Sequence, residues 1–161
     1  MPRVICNTSP LQYLHQIGQL SILPALVGSI IVPPAVIVEL DAGIAKGLDL
    51  PQPENLNWVK IQAPISAMAV SLITDLGPGE SQVLMLALEM PESVALLDDA
   101  LARRVAIARA IPIKGTLGLL LDAKRAGHLS AVKPSLDMLQ ELGFRLAQQT
   151  RDAVLKLAGE L

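Results

Sequence analysis

The chain has 161 residues, 52 % of them hydrophobic and only 17 % charged. This excludes a disordered or collagen-like segment and a heptad rod, and it predicts one domain with an aliphatic core. A formal charge of −2 and only three aromatics, Tyr13, Trp58 and Phe144, argue against a uniformly basic nucleic-acid binder and a base-stacking platform.

In chain order, Val4-Ile5-Cys6 reads as a buried strand ended by Asn7-Thr8-Ser9-Pro10. Ser9 is placed to cap the next helix, with Pro10 in its first turn. Leu11, Leu14, His15 and Ile17 then recur at helical spacing up to Gly18. Cys6 is the only cysteine, so neither an intramolecular disulfide nor a cysteine zinc site is available. That usage suits a reducing cytoplasm, and within an apolar strand Cys6 reads as core, not nucleophile. His15 and His128 are isolated and read as surface or packing residues. The polar residues following Arg3 do not resemble a secretory signal, so none is expected.

A short helix is predicted over 21–27, stopped by Gly28, and a second buried strand over 29–32. Leu20 to Val38 has nearly the length of a membrane span and no charge before Glu39. Pro24, Gly28, Pro33 and Pro34 interrupt it, and no basic flank borders it, so core elements are expected and no membrane segment. Pro33-Pro34 opens a helix carrying Val36, Ile37, Glu39, Leu40 and Ile44. Residues 47–57 read as a surface loop, 58–62 as a third strand and 66–74 as a helix.

Leu76-Gly77-Pro78-Gly79-Glu80 punctuates the chain and starts a helix over 81–89, which Pro91 ends. Val94-Ala95-Leu96-Leu97 is a fourth buried strand with Asp98-Asp99 at its carboxyl end, followed by a helix over 100–110. Ile111-Pro112-Ile113 is a short fifth strand leading to Lys114-Gly115-Thr116. Helical segments near 117–126, 135–142 and 149–160 close the chain. The alternation predicts a parallel sheet covered on both faces.

In such sheets the functional crevice lies at the carboxyl ends of the strands. Asn7, Asp98-Asp99 and Lys114-Gly115-Thr116 fall there, and Glu39 and Glu80 lie on helices that follow. Each has an ordinary structural reading. Glu80 favours a helix dipole, Asp99 can cap the helix from Ala100 or pair with Arg103, Glu39 can face solvent, and Asn7 suits a turn. Their convergence on one end of one sheet is harder to explain singly.

Those residues, in that order, carry a resemblance. The opening Val4-Ile5-Cys6-Asn7-Thr8-Ser9-Pro10-Leu11, then Val38-Glu39-Leu40, Gly77-Pro78-Gly79-Glu80 and Leu97-Asp98-Asp99 with Ala102-Arg103 resemble the PIN (PilT N-terminus) domain. Gly115-Thr116-Leu117-Gly118, Ala123-Lys124 and Gly127 complete the series, and the nearest branch is a prokaryotic PIN-like group related to VapC-type toxins. The resemblance covers about residues 3–145 of a single domain spanning 1–161, with the helix near 149–160 beyond it. It implies a three-layer α/β/α fold around a mostly parallel five-stranded sheet, with an acidic pocket at its carboxyl edge.

It also implies a divalent-metal-dependent endoribonuclease, in the related branch the toxin of a toxin–antitoxin pair. The family's acids fall on Asn7, Glu39, Glu80 and Asp99, with Leu97 where a threonine usually stands. Glu39, Glu80 and Asp99 are then the catalytic carboxylates and metal ligands, with Asn7 and Asp98 as accessory ligands and Thr8, Ser9 and Thr116 as accessory hydroxyls. Mg²⁺ or Mn²⁺ is the implied ion, since hard cations prefer carboxylate oxygens and polarise water beside a phosphodiester. A homodimer, a small antitoxin and a cytoplasmic location are further implications.

The charge distribution is compatible with this. Residues 1–99 carry three basic and ten acidic side chains, and residues 100–161 carry ten basic and five acidic ones. Arg103, Arg104, Lys114, Lys124 and Arg125 are candidate contacts to an RNA backbone, against the alternative of a solvated helix face. With so few aromatics, RNA is expected to be held by phosphate contacts and metal, with little base stacking. Asn7 departs from the pattern, leaving three negative charges where the family has four unless Asp98 turns inward.

A second reading is therefore a catalytically weak or inactive PIN-like module that binds RNA or a protein partner. A third, a receiver-like domain, draws on Lys114 and Thr116 but lacks acids at the end of the first strand. Nucleotide folds are disfavoured, because neither a Gly-x-Gly-x-x-Gly nor a P-loop occurs.

Overall fold

The computed structural model describes residues 2–65 and 75–161; the helix expected over 66–74 lies outside them. Five strands form one parallel sheet in the order β3-β2-β1-β4-β5. They are β1 (Arg3–Cys6), β2 (Ile30–Val32), β3 (Val59–Ile61), β4 (Ser93–Leu96) and β5 (Ile113–Lys114). The described helices are α1 (Thr8–Gln16), α2 (Ile22–Val27), α3 (Pro34–Ala45), α4 (Pro78–Glu89), α5 (Ala100–Ala108), α6 (Thr116–Arg125), α7 (Lys133–Glu141) and α8 (Gln148–Leu157). They flank the sheet as a three-layer α/β/α fold, as the alternation of elements predicts.

Burial follows strand position. Val4, Ile5 and Cys6 of the central β1 are buried, as are Ala95 and Leu96 of β4, because helices cover both faces. The edge strand β3 leaves Ile61 exposed. Leu11, Leu14, Leu40, Leu84, Leu119 and Leu120 complete an almost wholly aliphatic interior.

Several boundaries differ from the sequence reading for local reasons. Helix α1 begins at Thr8 with Asn7 as its N-terminal flank, so Ser9 lies inside the first turn and is not the cap. Helix α4 begins at Pro78, three residues early, because proline at a first helical position needs no amide partner. Within the expected surface loop 47–57, Pro51 and Pro53 are buried and Pro53–Asn55 forms a 3-10 turn. His15 is partly exposed on α1, with Nε2 2.9 Å from Asp49 Oδ1.

The C-terminal end is tied down by one carboxylate. Glu160 Oε2 accepts hydrogen bonds from Lys124 Nζ and the Val132 N–H, both at 2.8 Å, and Oε1 accepts the Lys133 N–H at 3.0 Å. Burial pushes this carboxyl up, but those three donors outweigh it and hold its pKa at about 2, below the ordinary 4.5. A carboxylate depressed in the folded state stabilises above its unfolded pKa and loses that contribution as pH falls toward the folded value. Glu160→Ala is therefore expected to cost about 2 kcal/mol at pH 7. Thermal melts of both proteins should converge as pH drops from 4.5 toward about 2; equal melting temperatures at pH 7 would contradict the clasp.

Candidate functional site

Strand order reverses between β1 and β4, whose connections leave in opposite directions, so a crevice opens at their carboxyl ends. Register sets the level of the residues there. Cys6 pairs with Leu96, and the Asn7 N–H donates to the Leu96 carbonyl at 3.1 Å. The Leu97 N–H donates to the Lys114 carbonyl at 3.0 Å, bringing Asp98 level with Thr116.

Asn7 is 2 % exposed, and its Oδ1 has no hydrogen-bond partner among the described residues. A buried acceptor without a donor costs about 1–3 kcal/mol. Beside it, Glu39 from α3 accepts the Thr8 hydroxyl on Oε1 at 2.5 Å and the Gly79 N–H on Oε2 at 2.9 Å. A Cβ built on Gly79 would stand 2.6 Å from Glu39 Oε1 and 2.8 Å from Asn7 Oδ1. Two acceptor oxygens thus converge on the backbone of Gly79, and only glycine leaves them room. Glu39 is not simply solvent-facing.

Glu80, the next residue, lies in the first turn of α4. With Ser9, Asp98 and Asp99 it lines a cleft of about 320 Å³, whose wall is completed by Tyr13, Phe144 and Arg145. The two aspartates do different local work. Asp98 is partly buried and accepts the Thr116 N–H at 2.8 Å and the Thr116 hydroxyl at 2.6 Å. Burial pushes its carboxyl above the ordinary range, against the pull of those bonds and of nearby Arg103. Asp99 is exposed and caps α5 by accepting the Ala102 N–H at 2.9 Å. Burial, reinforced by the charge of Asp98, also pushes the Cys6 thiol up, so Cys6 stays protonated and inert.

The basic candidates divide. Arg103 donates from Nη1 to the Leu97 carbonyl at 3.0 Å, and Arg104 is exposed on the same helix. Lys114 pairs with Asp122, while Arg125 is largely exposed, 3.9 Å from the same aspartate. Lys124 is engaged inside the fold by the Ala158 carbonyl and Glu160, and its ammonium is already occupied there. A second cleft, of about 430 Å³, runs along Arg103, Lys114 and Gly115 and shares Asp98, Phe144 and Arg145 with the first. Arg145 and Phe144 carried no local sequence signal, lying in the α7–α8 connection. Gly79 was visible only as turn punctuation.

The family profile for the PIN domain matches residues 3–160, nearly the whole chain. The chain belongs to the PIN-domain family. A search of curated proteins returned no match. The PIN fold is a nuclease-like fold whose members generally use divalent metal ions, which suggests RNA as a partner. Among the described residues no helix is long and apolar enough to cross a membrane.

Whether this PIN domain suits a divalent ion depends on its donors. Among the described residues, no three acidic, histidine or cysteine side chains are gathered as a finished ligand group. The donors are nevertheless all oxygen, as hard cations require. The unpartnered, buried Asn7 Oδ1 beside the Glu39 carboxylate is an acceptor that a cation would satisfy. In chemistry and in this orphaned oxygen, the residues fit.

Proposed function

We propose that this PIN domain is an endoribonuclease that hydrolyses RNA phosphodiester bonds with Mg²⁺ or Mn²⁺. The observation that carries the reading is the buried, unpartnered Asn7 Oδ1 next to Glu39, adjoining the cleft of Glu80, Asp98 and Asp99. A bound divalent cation supplies neutralisation of the phosphate oxygens and a lowered pKa of water. Glu39, Glu80 and Asp99 would hold it, with Asn7 and Asp98 as accessory ligands. The Thr8 and Thr116 hydroxyls orient Glu39 and Asp98, and Ser9 lines the cleft beside them. Arg103, Arg104, Lys114 and Arg125 bind the RNA backbone. A role as toxin of a toxin–antitoxin pair, held by a small antitoxin and acting as a cytoplasmic homodimer, belongs to the same proposal.

Purified protein incubated with structured and unstructured RNA in Mg²⁺ or Mn²⁺ tests it. Asp99→Asn is the sharper variant than alanine, because the amide oxygen still caps α5 and only the charge is lost. Cleavage should fall about 100-fold or more, as for loss of a charge that stabilises the transition state. Cleavage persisting at the wild-type rate would point to a contaminating nuclease.

The neutrality of Asn7 and the ungathered carboxylates favour the second reading, a PIN-like module that binds RNA or a protein without cutting. RNA binding by the wild-type protein with no cleavage under either metal is its signature.

A further inference from the structure

Helices α3 and α4 begin in the same way. Each opens with a proline at its first position, Pro34 or Pro78, and neither is capped by the side chain of the residue before it. Proline has no N–H, so the second residue, Ala35 or Gly79, carries the first amide of its helix, with no carbonyl of that helix to meet. Each finds its acceptor on the other helix. The Ala35 N–H donates to Gln82 Oε1 of α4 at 2.9 Å, and the Gly79 N–H donates to Glu39 Oε2 of α3 at 2.9 Å. Ala35 and Glu39 are four residues apart, and Gly79 and Gln82 three, so each pair stands on one side of its helix. The two bonds form a reciprocal clip, in which each helix satisfies the first amide of the other.

Glu39 is the half of this clip that also faces Asn7. Apolar packing alone does not fix where its carboxylate points. The buried residues of α3, Val36 and Leu40, make contacts that have no direction, so they tolerate a small slide or rotation of the helix. A hydrogen bond is directional. The Gln82 bond pins the first turn of α3, and the carboxylate one turn later takes its place from there.

We propose that Gln82 is a positioning residue: by accepting the Ala35 N–H it sets α3 against α4 and so holds the Glu39 carboxylate beside Asn7 Oδ1 for a divalent ion. The inference rests on the reading of this pocket as the metal site of a ribonuclease, but it is tested on metal binding, without RNA.

Calorimetric titration of Mn²⁺ into the protein, with thermal melts of every variant alongside, reads this directly. Gln82→Met keeps the length and helix preference of the side chain but removes the oxygen acceptor. It should weaken Mn²⁺ binding about tenfold, as loss of a group that orients a metal ligand does. Gln82→Glu keeps the oxygen and should bind Mn²⁺ at least as tightly as the wild-type protein. In a Glu39→Gln background, Gln82→Met should cause no further loss, because Gln82 acts only through Glu39. If Gln82→Met fails to fold, Gln82→Asn, whose amide stops one methylene short of the Ala35 N–H, carries the same test. Wild-type Mn²⁺ affinity in the folded Met or Asn variant, an equal loss in Gln82→Glu, or the same tenfold loss in the Glu39→Gln background overturns the proposal. So does a wild-type protein that binds no Mn²⁺. Mn²⁺ binding with the expected dependence on Gln82, but no RNA cleavage in Mg²⁺ or Mn²⁺, would sink the ribonuclease reading and leave the role of Gln82 standing.

Discussion

Gly79→Ala is expected to reduce metal-dependent RNA cleavage by about 100-fold while leaving the protein folded. The new methyl would stand 2.6 Å from Glu39 Oε1, 2.8 Å from Asn7 Oδ1 and 3.0 Å from Glu39 Oε2. Backbone at the start of α4 cannot retreat without disturbing the packing of Val83 and Leu84 below it, both fully buried. The Glu39 carboxylate, at the free end of a side chain, is what moves. Its departure breaks the bonds to the Thr8 hydroxyl and the Gly79 N–H. Overpacking of this kind costs about 1–3 kcal/mol, partly offset by the helix preference of alanine over glycine, about 1 kcal/mol. Stability therefore changes little while the carboxylate proposed as catalytic is displaced by more than the tolerance of an active site. Cleavage rates measured beside thermal melts check both halves. A wild-type rate in Gly79→Ala would mean that the placement of Glu39 is irrelevant to catalysis.

The part of this site legible in the sequence is the part that strand ends determine. Val4-Ile5-Cys6 and Val94-Ala95-Leu96-Leu97 announce buried parallel strands by their continuous apolar character, and the polar residues after each must lie at one edge. Asn7, Asp98 and Asp99 follow from that alone. The cap on α5 is legible as well, since Asp99 directly precedes Ala100 and accepts the Ala102 N–H; that Asp98 turns to Thr116 is not, because the approach of α6, a tertiary event, decides it. The same holds for Lys124. Its pattern on α6 is that of a surface cation, yet the returning C-terminal chain places Glu160 over it. Gly79 read as a turn signal, whereas its side-chain-free backbone is needed for the contact of α4 with α3. Phe144 and Arg145 stood in a connection without periodicity, and only the fold brings them to the cleft. Helix boundaries shifted where a residue such as Pro78 joins a first turn without needing an amide partner.

Asn7→Asp should convert a mildly unsatisfied position into a strongly metal-dependent one. The substitution preserves shape, so packing around a side chain that is 2 % exposed is unchanged. In EDTA it places a second carboxylate beside Glu39 with no donor to receive it. An uncompensated buried charge costs about 3–5 kcal/mol, which for a chain of this size lowers the melting temperature by about 10 °C. Burial and the neighbouring negative charge both raise the new carboxyl's pKa. A pKa raised in the folded state makes the deficit vanish as pH falls below the ordinary carboxylate value, about 4, and grow as pH rises above it. Mn²⁺ should reverse the deficit, since an ion that binds only the folded protein stabilises it in proportion to the logarithm of its concentration over Kd. The variant should bind Mn²⁺ more tightly than the wild-type protein, because a formal charge replaces an amide dipole at the same point. Melting curves in EDTA and across an Mn²⁺ titration, at pH 5 and pH 8, measure all of this. A variant that melts like the wild-type protein in EDTA at pH 8 would show that Asn7 Oδ1 does not face the carboxylate. Tight Mn²⁺ binding unaltered by the substitution would show that the ion is held elsewhere. If both expectations are met, Asn7 is the residue that weakens the metal site, and its amide leaves the metal-free protein stable enough to exist without the ion.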